Sequence, residues 1–467
     1  MSLYKRVYTV LPLLVQYLVL LFVPFVIADG QQYLHSTNLA PKRVAVIGAG
    51  SAGSSTAYYL RQLAETAQIP VEITVFERAS YIGGRSTTVN VFGNPSYPVE
   101  LGASIFVHEN TNLVNATRDL GLKVKGSSSS STSSNTQTSQ KRQESKASED
   151  DADSIGIWDG SQFVYSVKGS FNWWEIGKLV WRFGLSPFKA QGAMKDTIQK
   201  FKEMYQAPIF PFQSLTDAVE KAGLLNTVAS PGADFLRKNG VSDDFAREII
   251  QSSTRVNYGQ NLPLIHGVET MVCLAAEGSM SIQGGNWQIF EGMVAASGAN
   301  IRLNTSVTSI ERNPSNGTVT LKTANPNNKN KLEDASLTFD EVVIAGPLQY
   351  SGLSISPPLE HTPDEIPYVK LHVTLFASPH LLSPKYFGLD TNARAPDTVL
   401  TTLPKGVDLG SSRAGVGPAG FWSISTLDTV TPSPSSSNNN NDTSQKQYIY
   451  KIFSPERVTA NFMSEIL

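Results

Sequence analysis

A short run near the start of the chain has the glycine spacing of a dinucleotide-binding turn. Its residues are Gly48, Ala49, Gly50, Ser51, Ala52 and Gly53. In such a turn the first glycine permits the tight bend, the second lets backbone amides approach a pyrophosphate, and the third lets helix and strand pack closely. Because a helix N-terminus favours negative charge, the helix that follows would face the phosphates. The run therefore predicts a site for the diphosphate of a nucleotide.

Charged residues that could complete such a site follow the turn. Glu77 closes the next predicted strand, where a carboxylate can accept hydrogen bonds from both ribose hydroxyls and disfavours the 2′-phosphate of NADP. Arg78 comes directly after it, and a glycine pair ending at Gly84 precedes Arg85. A guanidinium binds phosphate oxygens through paired hydrogen bonds, so Arg85 can meet the same pyrophosphate. We therefore predict that the turn at Gly48 and the Arg85 guanidinium converge on one diphosphate.

The elements that position these residues begin as a βαβ unit. Its parts are a strand from Arg43 to Ile47, a helix from Ser51 to Ala67 and a strand from Val71 to Glu77. The apolar spacing then predicts helices at Gly192 to Tyr205, Ser214 to Ala222 and Asp243 to Gln251. Strand-like runs return at Ile301 to Glu311, Thr318 to Lys322, Glu341 to Ala345 and Val369 to Phe376. The predicted fold is α/β, a Rossmann-type nucleotide domain built from separated segments, with an inserted helical and β-rich substrate domain.

Composition sets the expected domain boundaries. Residues 126–154 and 432–447 are too poor in apolar side chains to offset the entropy of ordering, so we expect two disordered insertions. The expected division is 1–28 as a signal peptide or anchor, 42–125 and 281–350 as two parts of the nucleotide domain, 155–280 as a mainly helical substrate region and 351–467 as its β-rich part.

Net charge and the cysteine and histidine content limit the kinds of partner and metal site that we expect. A net charge of −2 gives no basic surplus, so neither nucleic acid nor an acidic membrane surface is indicated as an electrostatic partner. The single cysteine, Cys273, allows no intrachain disulfide or cysteine cluster, and its apolar surroundings predict a buried side chain, with a reactive thiol as the alternative. The six histidines show no close metal-ligand spacing, and we expect no structural metal.

The N-terminus predicts entry into the secretory pathway. Lys5 and Arg6 precede an apolar stretch that ends at Ala28 in the small-residue pattern of signal cleavage, and an uncleaved anchor is the alternative. Either version places the body of the protein in the lumen. N-glycosylation sequons agree with that compartment, and they lie at Asn115, Asn304, Asn316 and Asn441.

Taken together, the glycine turn, the run that ends at Arg85 and a later segment resemble the FAD site of the amine-oxidase and polyene-desaturase flavoproteins. The later segment is Glu100-Leu101-Gly102-Ala103-Ser104. The resemblance implies FAD as the cofactor, with contacts from Gly102, Ala103 and Ser104. It also implies that the backbone of the strand around Val307 would pair with adenine.

A second resemblance narrows the family. Residues 255–261, which read Arg-Val-Asn-Tyr-Gly-Gln-Asn, residues 267–276 and residues 282–287 together look like the prenylcysteine oxidase family, also called prenylcysteine lyase. Membership would imply oxidation of the thioether of farnesyl- or geranylgeranyl-cysteine to cysteine, a prenyl aldehyde and hydrogen peroxide, in a lysosome or vacuole. Asn257 and Tyr258 are candidate substrate residues. Their alternative interpretation is a helix end followed by a turn.

The chemistry implied by this family places few demands on protein side chains. The carbon between sulfur and the allylic double bond can lose hydride to a flavin, so no strong base is obligatory and the catalytic residues stay unassigned.

Recognition of such a substrate should depend on its apolar tail. Burying a fifteen-carbon tail contributes on the order of 10 kcal/mol before ordering costs. The aromatic stretch that includes Trp173 and Trp174 is a candidate tunnel lining or membrane-facing entrance, with ordinary core as the alternative.

One departure from the family pattern bears on activity. In the family the chain usually continues well past a segment like Ile452-Phe453-Ser454-Pro455-Glu456 and supplies a final turn near the flavin, whereas this sequence stops at Leu467. We therefore expect the product to purify with little flavin.

Two rival functions are consistent with the same residues. They are a flavin oxidase of amines or polyenes and a catalytically silent luminal flavoprotein.

Overall fold

The structure is a computed structural model. It describes residues 40–125, 154–168, 173–275, 278–326, 332–407, 415–431 and 445–467. The predicted signal peptide or anchor, Asn441 and most of the two predicted insertions lie outside these residues.

A four-stranded parallel sheet forms the base of the nucleotide domain. Its order is β13 (Glu341–Ile344), β1 (Lys42–Ile47), β2 (Val71–Phe76), β9 (Asn300–Arg302). Helix α1 (Ser51–Thr66) connects β1 to β2. Ala45, Val46 and Val75 are fully buried, because a parallel sheet is covered on both faces. This arrangement confirms the predicted βαβ unit.

A second four-stranded sheet packs against the first. Its order is β12 (Leu332–Phe339), β11 (Val319–Ala324), β10 (Ser306–Arg312), β14 (Ser354–Ser356), antiparallel except where β14 joins β10. Val307, Leu321 and Phe339 pack with Ala45 and Phe76 of the parallel sheet. The nucleotide domain is therefore built from segments far apart in sequence.

The strand-like run predicted from Ile301 to Glu311 is two strands, so its prediction as one element was wrong. Asn304 has a φ of 52°, and the chain turns there between β9 and β10. The backbone N–H of Asn304 donates to Ala79 and that of Thr305 donates to Glu77. These bonds tie the turn to the end of β2, a long-range contact that local periodicity cannot reveal.

A six-stranded mixed sheet forms the β-rich part of the substrate domain. Its order is β15 (His372–Ser378), β18 (Gln447–Ser454), β17 (Ser423–Val430), β16 (Thr398–Thr401), β6 (Ser154–Trp158), β7 (Phe163–Lys168). Trp158, Phe421, Tyr450 and Ile452 share its core.

The ends of the two predicted insertions need correction, because Ser154 begins β6 and Gln447 begins β18. Polar composition favours disorder at both positions. However, the Ser154 N–H and hydroxyl both donate to the Asp397 carboxylate, at 3.1 and 3.0 Å, across 243 residues of sequence. Strands β6 and β7 thus join the sheet from a region expected to be mainly helical.

The helical region lies between β7 and the second part of the nucleotide domain. Its helices are α3 (Trp173–Phe183), α4 (Ser186–Glu203), α5 (Leu215–Lys221), α6 (Leu225–Ala229), α7 (Gly232–Lys238), α8 (Asp243–Phe245), α9 (Gln251–Tyr258) and α10 (Gly267–Val272). Helix α2 (Thr111–Asp119) lies earlier in the chain, in the first part of the nucleotide domain. A π-helical turn, Ala246–Ile250, makes α8 and α9 continuous. Leu236, Ile250, Leu262 and Met271 are fully buried in its core.

Short elements complete the structure. They are β3 (Thr88–Asn90), β4 (Pro98–Glu100), β5 (Val124–Lys125), β8 (Ser281–Ile282), α11 (Trp287–Ala296) and α12 (Ala460–Ile466). Cys273 lies directly after α10 and is buried, as predicted. Within the described ranges, none of the helices has both the length and the apolar character needed to cross a bilayer.

Candidate cofactor and substrate site

The predicted glycine turn lies between β1 and α1. Gly48 has a φ of 107°, a conformation that favours glycine. A Cβ on Gly53 would overlap the carbonyl oxygen of Gly48, so the third glycine is sterically required. Gly50 caps α1 without a side-chain hydrogen bond, and Ser51 and Ala52 are exposed in the first turn. The N-terminus of the helix is therefore open to a ligand.

The second glycine loop lies directly against the first. The backbone N–H of Gly83 donates to the Ala49 carbonyl at 2.9 Å, and a Cβ on Gly84 would be 3.1 Å from Cα of Gly50. Arg85 follows this contact and its side chain is exposed. The structure thus brings together the two loops that the sequence predicts to share a diphosphate.

Glu77 is buried at the end of β2, with 9% of its surface exposed. Its Oε2 accepts a hydrogen bond from the Ala49 N–H and its Oε1 accepts one from the Ala79 N–H, both at 2.8 Å. Because each carboxylate oxygen can accept more than one hydrogen bond, both retain acceptor capacity. Glu77 therefore braces the glycine turn, a role that sequence reasoning missed. Arg78, the next residue, is exposed.

The segment Glu100–Ser104 is held beside these loops by Asn286, the residue that precedes α11. The Asn286 side-chain amide donates to the Ala103 carbonyl at 2.7 Å, and its backbone N–H donates to Oε1 of Glu100. Gly102 and Ala103 are exposed. Sequence reasoning missed Asn286 as a functional residue, although it follows a glycine pair that the second resemblance includes.

Burial dominates the electrostatics of Glu100. It raises the pKa of the carboxyl, while the Asn286 N–H and the charge of Lys451 act in the opposite direction. The Oε2 atom of Glu100 is buried and has no hydrogen-bond partner within the described part of the chain. A protonated carboxyl is therefore favoured more here than in water.

Val307 lies on β10 and is buried against the parallel sheet. On one side it pairs with Thr323 of β11. On the other side β14 pairs with β10 only from Ser309 onward, so this short strand stops before Val307.

The two candidate substrate residues lie at the end of α9. Asn257 is exposed and its amide donates to the Ser253 carbonyl, and Gly259 ends the helix with a φ of 61°. Burial raises the pKa of the Tyr258 hydroxyl, and Glu269 raises it further. Locally, these residues form a helix end followed by a turn, on the helical region rather than on the glycine loops.

Arg255 shows what the segment around Asn257 does for the fold. Its side chain is fully buried and donates to Thr401, to Asn261 and to the carbonyls of Gly415 and Val416. The guanidinium lies 4.7 Å from the ring centroid of Trp422, and burial lowers its pKa to about 9. Arg255 therefore fastens the helical region to the six-stranded sheet.

The aromatic stretch around α3 divides between core and surface. The side chains of Trp173 and Trp174 lie outside the described part of the structure. Leu179 and Phe183 are buried in the helical core, whereas Trp181 is 92% exposed.

Comparison with known proteins identifies the family. The family model for prenylcysteine lyase matches residues 167–467, and that for an NAD(P)-binding Rossmann-like domain matches residues 46–120. The chain belongs to the prenylcysteine lyase family. It is 27% identical to farnesylcysteine lyase of Arabidopsis thaliana over 78% of this chain and 68% of that one. It is 28% identical to human prenylcysteine oxidase 1 over 90% of this chain and 75% of the relative.

A solved putrescine oxidase variant aligns over 91% of this chain and 78% of its own, at 14% identity and a TM-score of 0.49. The two family matches confirm the predicted family and the Rossmann-type nucleotide fold. Together with the similarity to prenylcysteine oxidase 1, they confirm the prediction of a FAD-dependent oxidoreductase.

The residues present fit a flavin dinucleotide. The glycine loops adjoin, the N-terminus of α1 is open, and Glu77 has spare acceptor capacity at the end of β2. Among the described residues, no group of three or more His, Cys, Asp or Glu side chains is arranged to hold a metal ion.

Proposed function

We propose that this protein is a FAD-dependent thioether oxidase of prenylcysteine. It would convert farnesyl- or geranylgeranyl-cysteine, oxygen and water into cysteine, a prenyl aldehyde and hydrogen peroxide during the breakdown of prenylated proteins. The observation that carries the proposal is the family match over residues 167–467, together with the adjoining glycine loops of the nucleotide domain.

The residues proposed to hold FAD belong to four segments. They are Gly48, Ala49, Gly50, Ser51, Ala52 and Gly53 of the glycine turn, Glu77, Arg78, Gly84 and Arg85 of the second loop, Gly102, Ala103 and Ser104, and Val307. The turn and Arg85 would bind the diphosphate, and Glu77 would accept hydrogen bonds from the ribose. The backbone of Val307 would pair with adenine.

FAD supplies a two-electron acceptor when it is bound. The substrate carbon that loses hydride lies between sulfur and an allylic double bond, and both spread the resulting positive charge. Water adds at this carbon, and the hemithioacetal then breaks its carbon–sulfur bond to release cysteine and the aldehyde. The protein must hold this carbon in position and enclose the apolar tail. Asn257 and Tyr258 are proposed to lie on the substrate path.

We also propose that α3 and the start of α4 contact the lipid surface from which prenylated material is delivered. Trp181, Leu185 and Phe188 are exposed within a short stretch of chain, and Lys178 and Arg182 lie beside them. Amphipathic cations and tryptophan are favoured where an apolar surface meets lipid headgroups. This exposure favours a membrane-facing entrance over a tunnel lining.

The compartment proposed is the lumen of the secretory pathway, in a vacuole or lysosome. The described sequons differ in access. Asn316 is exposed in a turn, whereas Asn304 is half-buried in the turn between β9 and β10. Asn115 lies within α2, and Thr117, which completes its sequon, is buried. Asn316 is therefore the sequon that we expect to carry a glycan.

Anaerobic reduction of FAD-loaded protein by farnesylcysteine tests the proposed function. We expect loss of the oxidised flavin absorbance with farnesylcysteine, and peroxide release after oxygen is admitted. A panel of amines and polyenes, tested in the same way, serves as the control. Reduction by one of those compounds alone would replace the proposal with the rival oxidase. Protein that binds FAD and is reduced by none of them would be a silent flavoprotein.

A further inference from the structure

Lys451 is a buried lysine on the strand next to one edge of the six-stranded sheet. It lies on β18, between Leu375 of β15 and Ser425 of β17, and only 7% of its surface is exposed. Burying an ammonium group is costly unless hydrogen bonds replace its water. The position is therefore informative, because an apolar residue would fill this site more cheaply if packing were the only requirement.

The ammonium group of Lys451 reaches out of the sheet to the nucleotide domain. It donates to the Ser104 hydroxyl at 2.8 Å and to the Glu100 carbonyl at 3.2 Å. The Ser104 hydroxyl in turn donates to the Gly102 carbonyl at 3.1 Å. Lys451 is thus linked, through one hydroxyl, to the backbone at Gly102.

The same segment is held from the nucleotide domain by Asn286, which bonds Glu100 and Ala103. The segment is therefore fixed at both ends, by Lys451 and by Asn286, with Gly102 and Ala103 exposed between them. A turn that is fixed in this way can present its backbone to a ligand without an ordering cost at the time of binding.

We propose that Lys451 is a positioning residue for FAD: its ammonium group fixes the turn at Gly102 through Ser104 and contributes positive charge to the surroundings of the flavin. This inference rests on the proposed binding of FAD at Gly102–Ser104. It links the substrate domain to cofactor binding, since Lys451 and its partners belong to different domains.

Titration of apoprotein with FAD and measurement of the flavin midpoint potential test this role. We expect Lys451→Met to weaken FAD binding at least about tenfold, the equivalent of 1.4 kcal/mol, and to lower the midpoint potential. Lys451→Arg should restore most of both, because it keeps the charge and the donors. Lys446→Met, at an exposed position just before β18, is the matched control and should change neither.

A double-mutant cycle separates positioning from general damage to the fold. If Lys451 acts through Ser104, then Ser104→Ala and Lys451→Met should have effects on the FAD dissociation constant that do not add. Additive effects, or wild-type affinity and potential in Lys451→Met, would overturn the proposal. Should Lys451→Met fail to fold by circular dichroism, Lys451→Arg and Ser104→Ala carry the test, and unaltered affinity in Ser104→Ala overturns it. Wild-type protein that binds no FAD would instead refute the proposed function itself.

Discussion

The backbone N–H of Ala49 donates to Oε2 of Glu77, so the end of β2 holds the glycine turn that follows β1. The other carboxylate oxygen holds the backbone at Ala79. One buried side chain therefore fixes two stretches of backbone at the edge of the sheet where the cofactor is proposed to bind. Both carboxylate oxygens of Glu77 therefore accept backbone hydrogen bonds whether or not a ribose is bound.

We predict that Glu77→Gln weakens both the fold and FAD binding. The new amide nitrogen donates rather than accepts, so one backbone N–H loses its partner at a cost of about 1–3 kcal/mol. FAD affinity should fall roughly tenfold or more. Urea unfolding of apoprotein and fluorescence titration with FAD measure the two effects. Glu72→Gln, on the exposed face of β2, is the control. Wild-type values for Glu77→Gln would contradict the prediction.

Gly53→Ala should abolish FAD binding. The added methyl group would overlap the Gly48 carbonyl oxygen, and the turn must open to admit it. Gly192→Ala is a useful comparison, because nothing lies within 4 Å of a Cβ there and helix α4 should gain roughly 0.5–1 kcal/mol. Flavin content after reconstitution measures the first effect and thermal unfolding the second. Normal flavin content in Gly53→Ala would show that the turn tolerates the methyl group.

The stability of the protein should depend on pH partly through Glu100. Burial raises the pKa of this carboxyl above its ordinary value of 4.5, so the folded protein binds the proton more tightly than the unfolded chain. Its contribution is fully present below pH 4.5 and is lost as the pH rises through the raised pKa. We therefore expect the stability of Glu100→Gln, relative to wild type, to increase as the pH rises from 4.5 to 7.5. Urea unfolding at several pH values measures this difference. A constant difference across that range would argue against a raised pKa.

Trp181→Ala should weaken binding to lipid vesicles. Fully burying a large apolar side chain is worth about 1.5–3 kcal/mol, so the partition coefficient should fall roughly tenfold to a hundredfold. Vesicle flotation measures this coefficient. Leu63→Ala removes an exposed apolar side chain from α1, which is not part of the proposed lipid-contacting segment, and should have no effect. Equal effects of the two substitutions would indicate nonspecific hydrophobic adsorption.

Asn316→Gln should remove a glycosidase-sensitive mass shift from protein expressed through a secretory pathway, whereas Asn115→Gln should not. The reason is access, since Asn316 is exposed in a turn and Thr117 of the Asn115 sequon is buried within α2. Gel mobility before and after deglycosylation reports the result. A shift that persists in Asn316→Gln would assign the glycan elsewhere.

The part of the site that could be predicted from sequence is local. The glycine turn at Gly48 is specified by neighbouring residues, since its tight backbone and close packing leave little choice at Gly48 and Gly53. Asn286 and Lys451 could not be predicted, because their contacts with Ala103 and Ser104 join residues that only the tertiary fold brings together. The break between β9 and β10 could not be predicted either, because the turn there is held by contacts with Glu77 and Ala79, which are distant in sequence.

The pairing of β6 with β16 has a consequence for biosynthesis. The strand that begins at Ser154 finds its parallel neighbour, beginning at Thr398, only after the intervening chain has been translated. Until then the β6–β7 hairpin presents an unsatisfied, apolar edge to other nascent chains. Chaperones that shield such edges during translation should therefore raise the yield of this protein more than agents that act only on the finished chain.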